Sequence, residues 1–222
     1  MKYLISIAFV LALMGCAQTG EQRSAMSSKQ YCEGRIDADT AMKLDLIEQL
    51  MAGGRLHAAL AHLDNLDSQT LHARYLRAEI LRQTGRTDNA EQLYETLLDT
   101  CMQGQGHHGL GLIAGRQQQL DKASQQLAQA ARLLPVDARV RNDYGYVLLL
   151  KGELPAARAE FLTAMELDDQ AGLAATNMLL LLLLNNQQAE AESLSRRMQL
   201  DAKALADLTS QAEQIRNSSE YR

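Results

Sequence analysis

Residues 138–171 read ARVRNDYGYVLLLKGELPAARAEFLTAMELDDQA, and the 34 residues before them, 104–137, read GQGHHGLGLIAGRQQQLDKASQQLAQAARLLPVD. A shift of 34 residues superimposes small or apolar residues at five positions, which are Gly111 on Gly145, Leu120 on Leu154, Ala123 on Ala157, Leu127 on Phe161 and Ala130 on Ala164. In the second segment the last three of these are spaced by four and three residues, which places them on one face of a helix. The sequence therefore predicts tandem helical repeats.

A 34-residue period with small residues at positions 8, 20 and 27 and a large one at 24 resembles the tetratricopeptide repeat, in which each unit is a helix A, a turn and a helix B. The chain accommodates about five such units, at residues 40–70, 71–103, 104–137, 138–171 and 172–205. Gly54, Gly85 and Gly152 fall where the turn between the two helices favours a left-handed backbone. We expect an all-α solenoid over residues 39–205 that ends in a capping helix and tail over 206–222.

A short leader precedes this body. Lys2 is followed by an almost unbroken apolar run over residues 3–14 and then by Gly15-Cys16. A positive start, about a dozen apolar residues and a small residue at the cut are typical of a secretory signal, whereas a membrane span needs about 20 residues. Residues 13–16, LMGC, also resemble the lipobox of bacterial lipoproteins.

The lipobox resemblance implies a compartment and an anchor. Residues 1–15 would be removed, and Cys16 would carry the lipid at the start of a polar tether over residues 16–38. Ala17 stands where an Asp would retain a lipoprotein in the inner membrane, so we expect the periplasmic face of the outer membrane. The alternative is a soluble exported protein in which Cys16 is an ordinary thiol.

Composition restricts the classes of partner. The chain has 222 residues, 46% of them apolar, and a formal charge of −5, so it lacks the basic surplus that a nucleic-acid partner requires. Aromatic residues are 4% and Trp is absent, which leaves few surfaces for stacking bases or sugars. We therefore expect neither nucleic acid nor a small-molecule substrate.

Two cysteines remain if Cys16 is lipidated. Cys32 and Cys101 form an even pair in an oxidising compartment, where a disulfide between them can form. The alternative is two separate thiols.

Motifs that suggest catalysis or cofactors have simpler interpretations. Residues 104–109, GQGHHG, match a dinucleotide-binding pattern, but they follow a helix-like segment rather than a strand, so we expect a turn between repeats. His107 and His108 are adjacent and point to different faces of a helix, and no further ligands accompany them, so no metal is expected. Since nothing marks a nucleophile or a paired acid and base, the sequence favours a protein that is not an enzyme and has no cofactor besides the lipid.

The A helices of tetratricopeptide arrays line a concave groove, mainly through motif positions 2, 5, 9, 12 and 13. Counting from the unit starts assigns to this groove His72, Tyr75, Glu79, Arg82, Gln105, His108, Leu112, Arg116, Arg139, Asn142, Tyr146 and Leu149. Tyr and Arg are the residue types that most often carry binding energy at interfaces. We expect this face to bind a peptide or helix of a partner, with an acidic group or a terminal carboxylate as one candidate for its chemistry.

Residues 179–184 are six consecutive leucines. A helix that is apolar on all sides is typically enclosed by other helices, which is one interpretation of this run. The other is that Leu180, Leu183 and Leu184 face the groove and hold an apolar peptide.

A longer resemblance covers residues from about 104 to 200 and is carried mainly by the fourth unit and its flanks. The residues that carry it are Pro135, Asp137, Ala138, Val140, Asn142, Asp143, Gly145, Tyr146 and Leu148 to Leu150, followed by AATNML at 174–179. This pattern is similar to the TadD family of tight-adherence (Flp) pilus assembly lipoproteins. The resemblance implies a pilotin-like role beside the outer-membrane secretin of the pilus, with the secretin or an accessory pilus protein as the partner in the groove. A lipoprotein scaffold for peptidoglycan enzymes or for outer-membrane protein assembly is the alternative.

Overall fold

Eleven α-helices follow one another along residues 34, 36–66, 70–168 and 172–217, which are the residues that the computed structural model describes. They are α1 (Ala38–Ala52), α2 (Leu56–Asp64), α3 (Leu71–Gln83), α4 (Thr87–Glu95), α5 (Gln103–Arg116), α6 (Leu120–Leu133), α7 (Ala138–Leu150), α8 (Leu154–Leu167), α9 (Gly172–Leu184), α10 (Gln188–Arg197) and α11 (Ala202–Asn217). The first ten form five consecutive pairs, and α11 follows the last pair. The expected all-α repeat solenoid with a capping helix is confirmed.

The repeat boundaries follow from local capping. The first helix of each pair begins within two residues of the unit start that the 34-residue period gives. α11 instead begins at Ala202, four residues before the expected start at 206. The cause is Asp201, whose carboxylate accepts a hydrogen bond of 2.7 Å from the backbone N–H of Ala204 and so starts the helix early.

The turn inside each pair has the same backbone. Gly54, Gly85 and Gly152 have φ values of +70°, +81° and +75°, which confirms their expected left-handed conformation. Gln118 and Asn186 occupy the equivalent positions with φ of +61° and +55°. In all five turns the next backbone N–H donates to a carbonyl five residues earlier, at 2.8 to 2.9 Å.

The five pairs stack into two layers. The A helices (α1, α3, α5, α7 and α9) each contact the A helix of the next unit, whereas within the described residues no comparable contact joins successive B helices (α2, α4, α6, α8 and α10). The first four B helices pack instead on the A helix that follows each of them, and α10 packs on the preceding α9. The A helices therefore form the inner, concave face and the B helices the outer, convex face.

The glycine-rich segment at 104–109 lies inside α5, so the expectation of a turn there is wrong. A Cβ atom added to Gly109 would lie 2.2 Å from the Tyr94 ring, and one added to Gly111 would lie 2.6 Å from Cγ of Leu127. These glycines thus allow α5 to approach its neighbours closely, and the buried packing offsets their low helix propensity.

The leucine run forms a core helix. Every residue from Met178 to Leu184 is at most 7% exposed, because α7, α8, α10 and α11 all contact α9. Arg216 of α11 donates to the backbone oxygen of Leu183 at 3.0 Å and so satisfies a carbonyl at the end of α9. No helix among the described residues combines the length and apolar character that crossing a membrane requires.

Candidate protein-binding groove

The residues assigned to the groove all lie on A helices, but only some reach its surface. Arg116 and Arg139 are exposed, and the partly exposed ones are His72, Tyr75, Arg82, Gln105, Leu112 and Tyr146. The buried ones are Glu79, His108, Asn142, Leu149, Leu180 and Leu183.

The three buried leucines are core residues, so their assignment to the groove is corrected. Leu149 and Leu180 are 0% and 1% exposed, and Leu183 is 7% exposed. They share one apolar cluster with Phe161 of α8, against which residues of α11 also pack. Because α11 contacts α9, these side chains are closed to a ligand.

Glu79 is the centre of an internal polar cluster. Arg82 donates to its Oε2 at 2.8 Å, and the hydroxyl of Tyr94 donates to its Oε1. Burial raises the pKa of the Glu79 carboxyl, but the hydrogen bond and charge of Arg82 outweigh burial and hold the pKa below its usual value. Glu79 is therefore ionised and already paired, and its role is to fix Arg82 and Tyr94 rather than to contact a ligand.

A chain of polar contacts links three consecutive A helices. Nε2 of His108 on α5 lies 2.7 Å from Oδ2 of Asp143 on α7. The amide of Asn142 donates to Oδ1 of the same Asp143 at 3.1 Å, and Asn177 on α9 donates to Oδ1 of Asn142 at 2.8 Å. His108 and Asn142 thus hold the wall of the groove in register and are largely satisfied by it.

An accessible polar surface lies around Tyr75 and Arg139, which belong to units two repeats apart. Burial and the charge of Glu79 raise the pKa of the Tyr75 phenol, while the positive charge of Arg139 acts in the opposite direction. The Arg139 side chain is 76% exposed, and its guanidinium donates to Oδ2 of Asp137 at 3.3 Å. The Tyr75 phenol is thus neutral and can donate a hydrogen bond.

The same surface extends towards the first repeat. Nε2 of His72 on α3 lies 2.7 Å from Oε1 of Glu48 on α1. The rings of His72 and Tyr75 have centroids 6.1 Å apart and are tilted to each other. The histidine is therefore held in place beside the tyrosine.

The C-terminal ends of the A helices present a second accessible set. Leu112 and Arg116 lie one turn apart on α5, and Tyr146 lies on α7 and packs partly against the α9 cluster. Arg116 is exposed and makes no ion pair with any other described residue. This set combines an apolar surface with a cation that makes no ion pair within the described part of the chain.

An open depression adjoins the start of α7. It has a volume of about 500 Å³ and is lined by Leu134, Val136, Asp137, Ala138, Arg139 and Asp168. Val136 is 76% exposed. Arg139 therefore connects the groove to a neighbouring apolar surface.

One cysteine of the described residues forms a covalent bond. Cys101 is disulfide-bonded, whereas Cys16 and Cys32 lie outside the described residues, so its pairing with Cys32 stays a prediction.

Among the residues that the structure describes, no group of three or more His, Cys, Asp or Glu side chains is arranged to hold a metal ion.

Several partners in these networks escaped the sequence analysis. The groove residues His108, Asn142, Arg139 and His72 are held by Asp143, Asn177, Asp137 and Glu48, respectively. Two of the contacts join residues 35 positions apart, one more than the repeat period, so polar residues at that spacing on successive A helices are the sequence signal for them.

Comparison with known proteins identifies relatives. The sequence model of the tetratricopeptide repeat matches residues 44–104 and 108–172. The chain is 38% identical over 204 residues to the TPR repeat-containing protein PA4299 of Pseudomonas aeruginosa, a similarity that covers 91% of this chain and 81% of the relative.

Solved structures show the same architecture. A thermophilic TPR protein of Thermus thermophilus, TTC0263, superimposes with a TM-score of 0.63 at 25% identity and covers 79% of this chain and 98% of its own. The pilF protein of Pseudomonas aeruginosa superimposes with a TM-score of 0.61 at 18% identity. The superposition covers 82% of this chain and 94% of the pilF chain. At this level of identity the second likeness is one of fold.

Proposed function

The chain belongs to the tetratricopeptide repeat family, and from this premise we propose that it is a lipid-anchored adaptor that binds a protein partner in its concave groove. Arrays of this family present extended concave surfaces that suit a segment of another protein. They are generally scaffolds rather than enzymes. The proposed role requires no cofactor besides the lipid on Cys16.

The observation that carries this proposal is the split between fixed and accessible groove residues. Glu79, His108 and Asn142 are buried and satisfied by neighbours, so they give the groove a rigid wall. Arg116 and Arg139 remain exposed above it. A rigid wall lowers the entropy cost of binding.

The accessible residues favour a ligand with acidic character. Tyr75 and Tyr146 supply hydroxyl donors and ring surface, and Arg116 supplies a cation with no ion pair inside the described residues. Arginine binds carboxylates through two parallel hydrogen bonds. We propose an acidic segment or a terminal carboxylate of the partner as the ligand of the groove.

The compartment follows from the leader. A lipid on Cys16 would hold the repeats at the periplasmic face of the outer membrane, with residues 17–38 as the tether. Stable anchoring by acyl chains requires more than one chain, and bacterial lipoproteins carry several on the cysteine.

We assign the adaptor to assembly of the Flp pilus secretin. Support comes from the TadD-like residues between 135 and 150 and the AATNML segment at 174–179. The partner would be the secretin or an accessory pilus assembly protein.

Deletion of the gene, followed by a blot for heat-resistant secretin multimers in the outer membrane, tests this role. We expect the multimers to be lost and to return with the wild-type chain. Cys16→Ser should fail to restore them because the adaptor would no longer be held at the membrane.

A groove variant and a matched control on the convex face complete the experiment. The triple variant Arg116→Glu, Arg139→Glu, Tyr146→Ala should also fail, whereas Arg132→Glu on the convex helix α6, which also removes an exposed arginine, should restore the multimers. Normal multimers in the deletion strain would contradict the pilus role.

A further inference from the structure

A separate recess lies on the convex face near the C-terminal end of the array. It is bounded by α8 and α10 and floored by Met178 and Leu182 of α9, and its volume is about 260 Å³. That volume is below the range of about 300–1,000 Å³ that is usual for small-molecule sites. The recess is therefore suited to a few side chains of a partner.

The walls of this recess have helical spacing. One wall consists of Arg158, Leu162 and Met165 of α8, and the other of Glu190, Leu194 and Arg197 of α10. In both walls the residues are spaced by four and three, so each forms a stripe of about two turns, or about 10 Å. We call the recess between these two stripes the convex trough.

The two stripes run in the same direction. Only four residues separate α8 from α9 and three separate α9 from α10, and each of these pairs is in contact, so α9 is antiparallel to both of its neighbours. α8 and α10 are therefore parallel, with α9 beneath them. The convex trough thus resembles the groove into which a further helix of a bundle would pack.

The charge at the rim is mostly positive. Arg158 donates to the neutral amide oxygen of Gln187, and Arg197 has no ion pair among the described residues. Glu190 is the one acid among the lining residues, and its Oε1 accepts a hydrogen bond of 3.1 Å from Gln187. Arg158 begins its stripe and Arg197 ends the other, so the parallel arrangement places the two cations at opposite ends of the convex trough, with Glu190 at the same end as Arg158.

We propose that the convex trough binds an amphipathic helix of a protein partner, with acidic residues at both ends of its apolar stripe. Apolar side chains of that helix at i, i+4 and i+7 would fill the space above Met178 and Leu182. Its acidic residues would pair with Arg158 and Arg197. This site is on the face opposite to the groove and is independent of it.

The apolar surface supports this occupant. Leu162 is 47% exposed at the rim, whereas its apolar neighbours Met178, Leu182 and Leu194 are buried. Met165 and Met178 supply flexible, polarisable side chains, which adapt to the irregular surface of a docked helix. Amphipathic helices bind such apolar grooves through side chains spaced by three and four residues.

Binding of designed peptides to the full chain tests the proposal by fluorescence anisotropy. The probe is a labelled 16-residue helix with Leu at i, i+4 and i+7 and Glu at both ends, and its counterpart has Lys in place of Glu. We expect the acidic peptide to bind at least about tenfold more tightly than the basic one. Leu162→Glu and Arg197→Glu should each weaken the acidic peptide by about tenfold or more.

Matched variants on the same two helices serve as controls. Leu167→Glu changes another exposed leucine of α8, and Arg196→Glu changes an arginine of α10 whose ion pair is with Glu192 at 3.9 Å. Both should bind the acidic peptide like the wild type, as should the triple groove variant, which separates this site from the groove. Circular dichroism confirms that each variant is folded.

Three results would overturn the proposal. They are the absence of saturable binding of the acidic peptide, equal binding of the basic peptide, and equal losses in the control variants. Leu162-dependent binding of phosphatidylglycerol vesicles without peptide binding would assign the convex trough to a membrane surface instead.

Discussion

The helices α7 and α9 occupy the same place in consecutive repeats, yet one forms part of an open wall and the other is enclosed. α7 exposes Arg139 and leaves Tyr146 partly accessible, whereas residues 178–184 of α9 are all buried. Their backbones end alike, in a turn whose central residue has a positive φ. The position in the repeat thus sets the backbone, and the neighbouring helices decide which side chains are available.

The neighbour that makes the difference is α11. It packs on α9, with Leu205, Leu208 and Ile215 against the core and the Arg216 side chain on the carbonyl end of α9. An A helix at the end of a stack would otherwise expose its apolar side. The leucine run and α11 therefore stabilise each other and end the groove before the last repeat.

The largest effect on stability is expected when Leu180→Ala in α9 is compared with Leu112→Ala in α5. Leu180 is 1% exposed, so its truncation should lower the free energy of unfolding by about 2–5 kcal/mol. Leu112 is partly exposed on α5, and its truncation should cost less than about 1.5 kcal/mol. Urea unfolding followed by circular dichroism measures both. Similar losses would contradict the distinction between an enclosed and an open A helix.

Two glycines of α5 provide the next test. Gly109→Ala places a Cβ atom 2.2 Å from the Tyr94 ring and should destabilise the fold by about 1–3 kcal/mol. Gly115 has its nearest neighbours at 3.8 and 3.9 Å, so Gly115→Ala should stabilise the fold by about 0.5–1 kcal/mol through helix propensity. Thermal unfolding of the two variants compares them. A stable Gly109→Ala protein would show that the close approach of the helices is not required.

The sequence predicts the helical repeat but not which side chains within it are buried. A 34-residue period and the turn glycines locate the helix pairs, because local backbone preferences recur with the repeat. The glycines at 104–109 were expected in a turn, since low helix propensity outweighs packing when the neighbours are unknown. The same limit applies to Leu183 and Glu79, whose burial depends on helices far away in the sequence.

The Glu79 cluster gives a test that depends on pH. Glu79→Gln leaves Arg82 without its charged partner and should cost about 1–2 kcal/mol at pH 7. The pKa of Glu79 in the fold is below its ordinary value of 4.5, so the stabilisation is complete above that value and is lost as the pH falls through the folded pKa. Urea unfolding between pH 7 and pH 3 should therefore show the gap between wild type and variant closing below about pH 4.5. A gap that stays constant would contradict the ionised pair.

The smallest effects on stability are expected from substitutions in the turns within the helix pairs. Gln118 adopts the left-handed conformation that Gly152 adopts one repeat later, with φ of +61° and +75°. Gln118→Gly should stabilise the fold by up to about 1 kcal/mol, and Gly152→Ala should destabilise it by a similar amount. Differential scanning calorimetry measures both shifts. A lower melting temperature for Gln118→Gly would show that its side chain matters more than its backbone.

Affinity for the purified secretin tests the central claim most directly. Calorimetric titration of the wild-type chain, the triple variant Arg116→Glu, Arg139→Glu, Tyr146→Ala, and the Arg132→Glu control separates the groove from the rest of the surface. We expect the triple variant to bind at least about a hundredfold more weakly, because it removes two cations and an aromatic ring from the interface, while the control binds like the wild type. Equal affinities for all three proteins, or no binding by the wild-type chain, would contradict the proposal that the concave groove holds this partner.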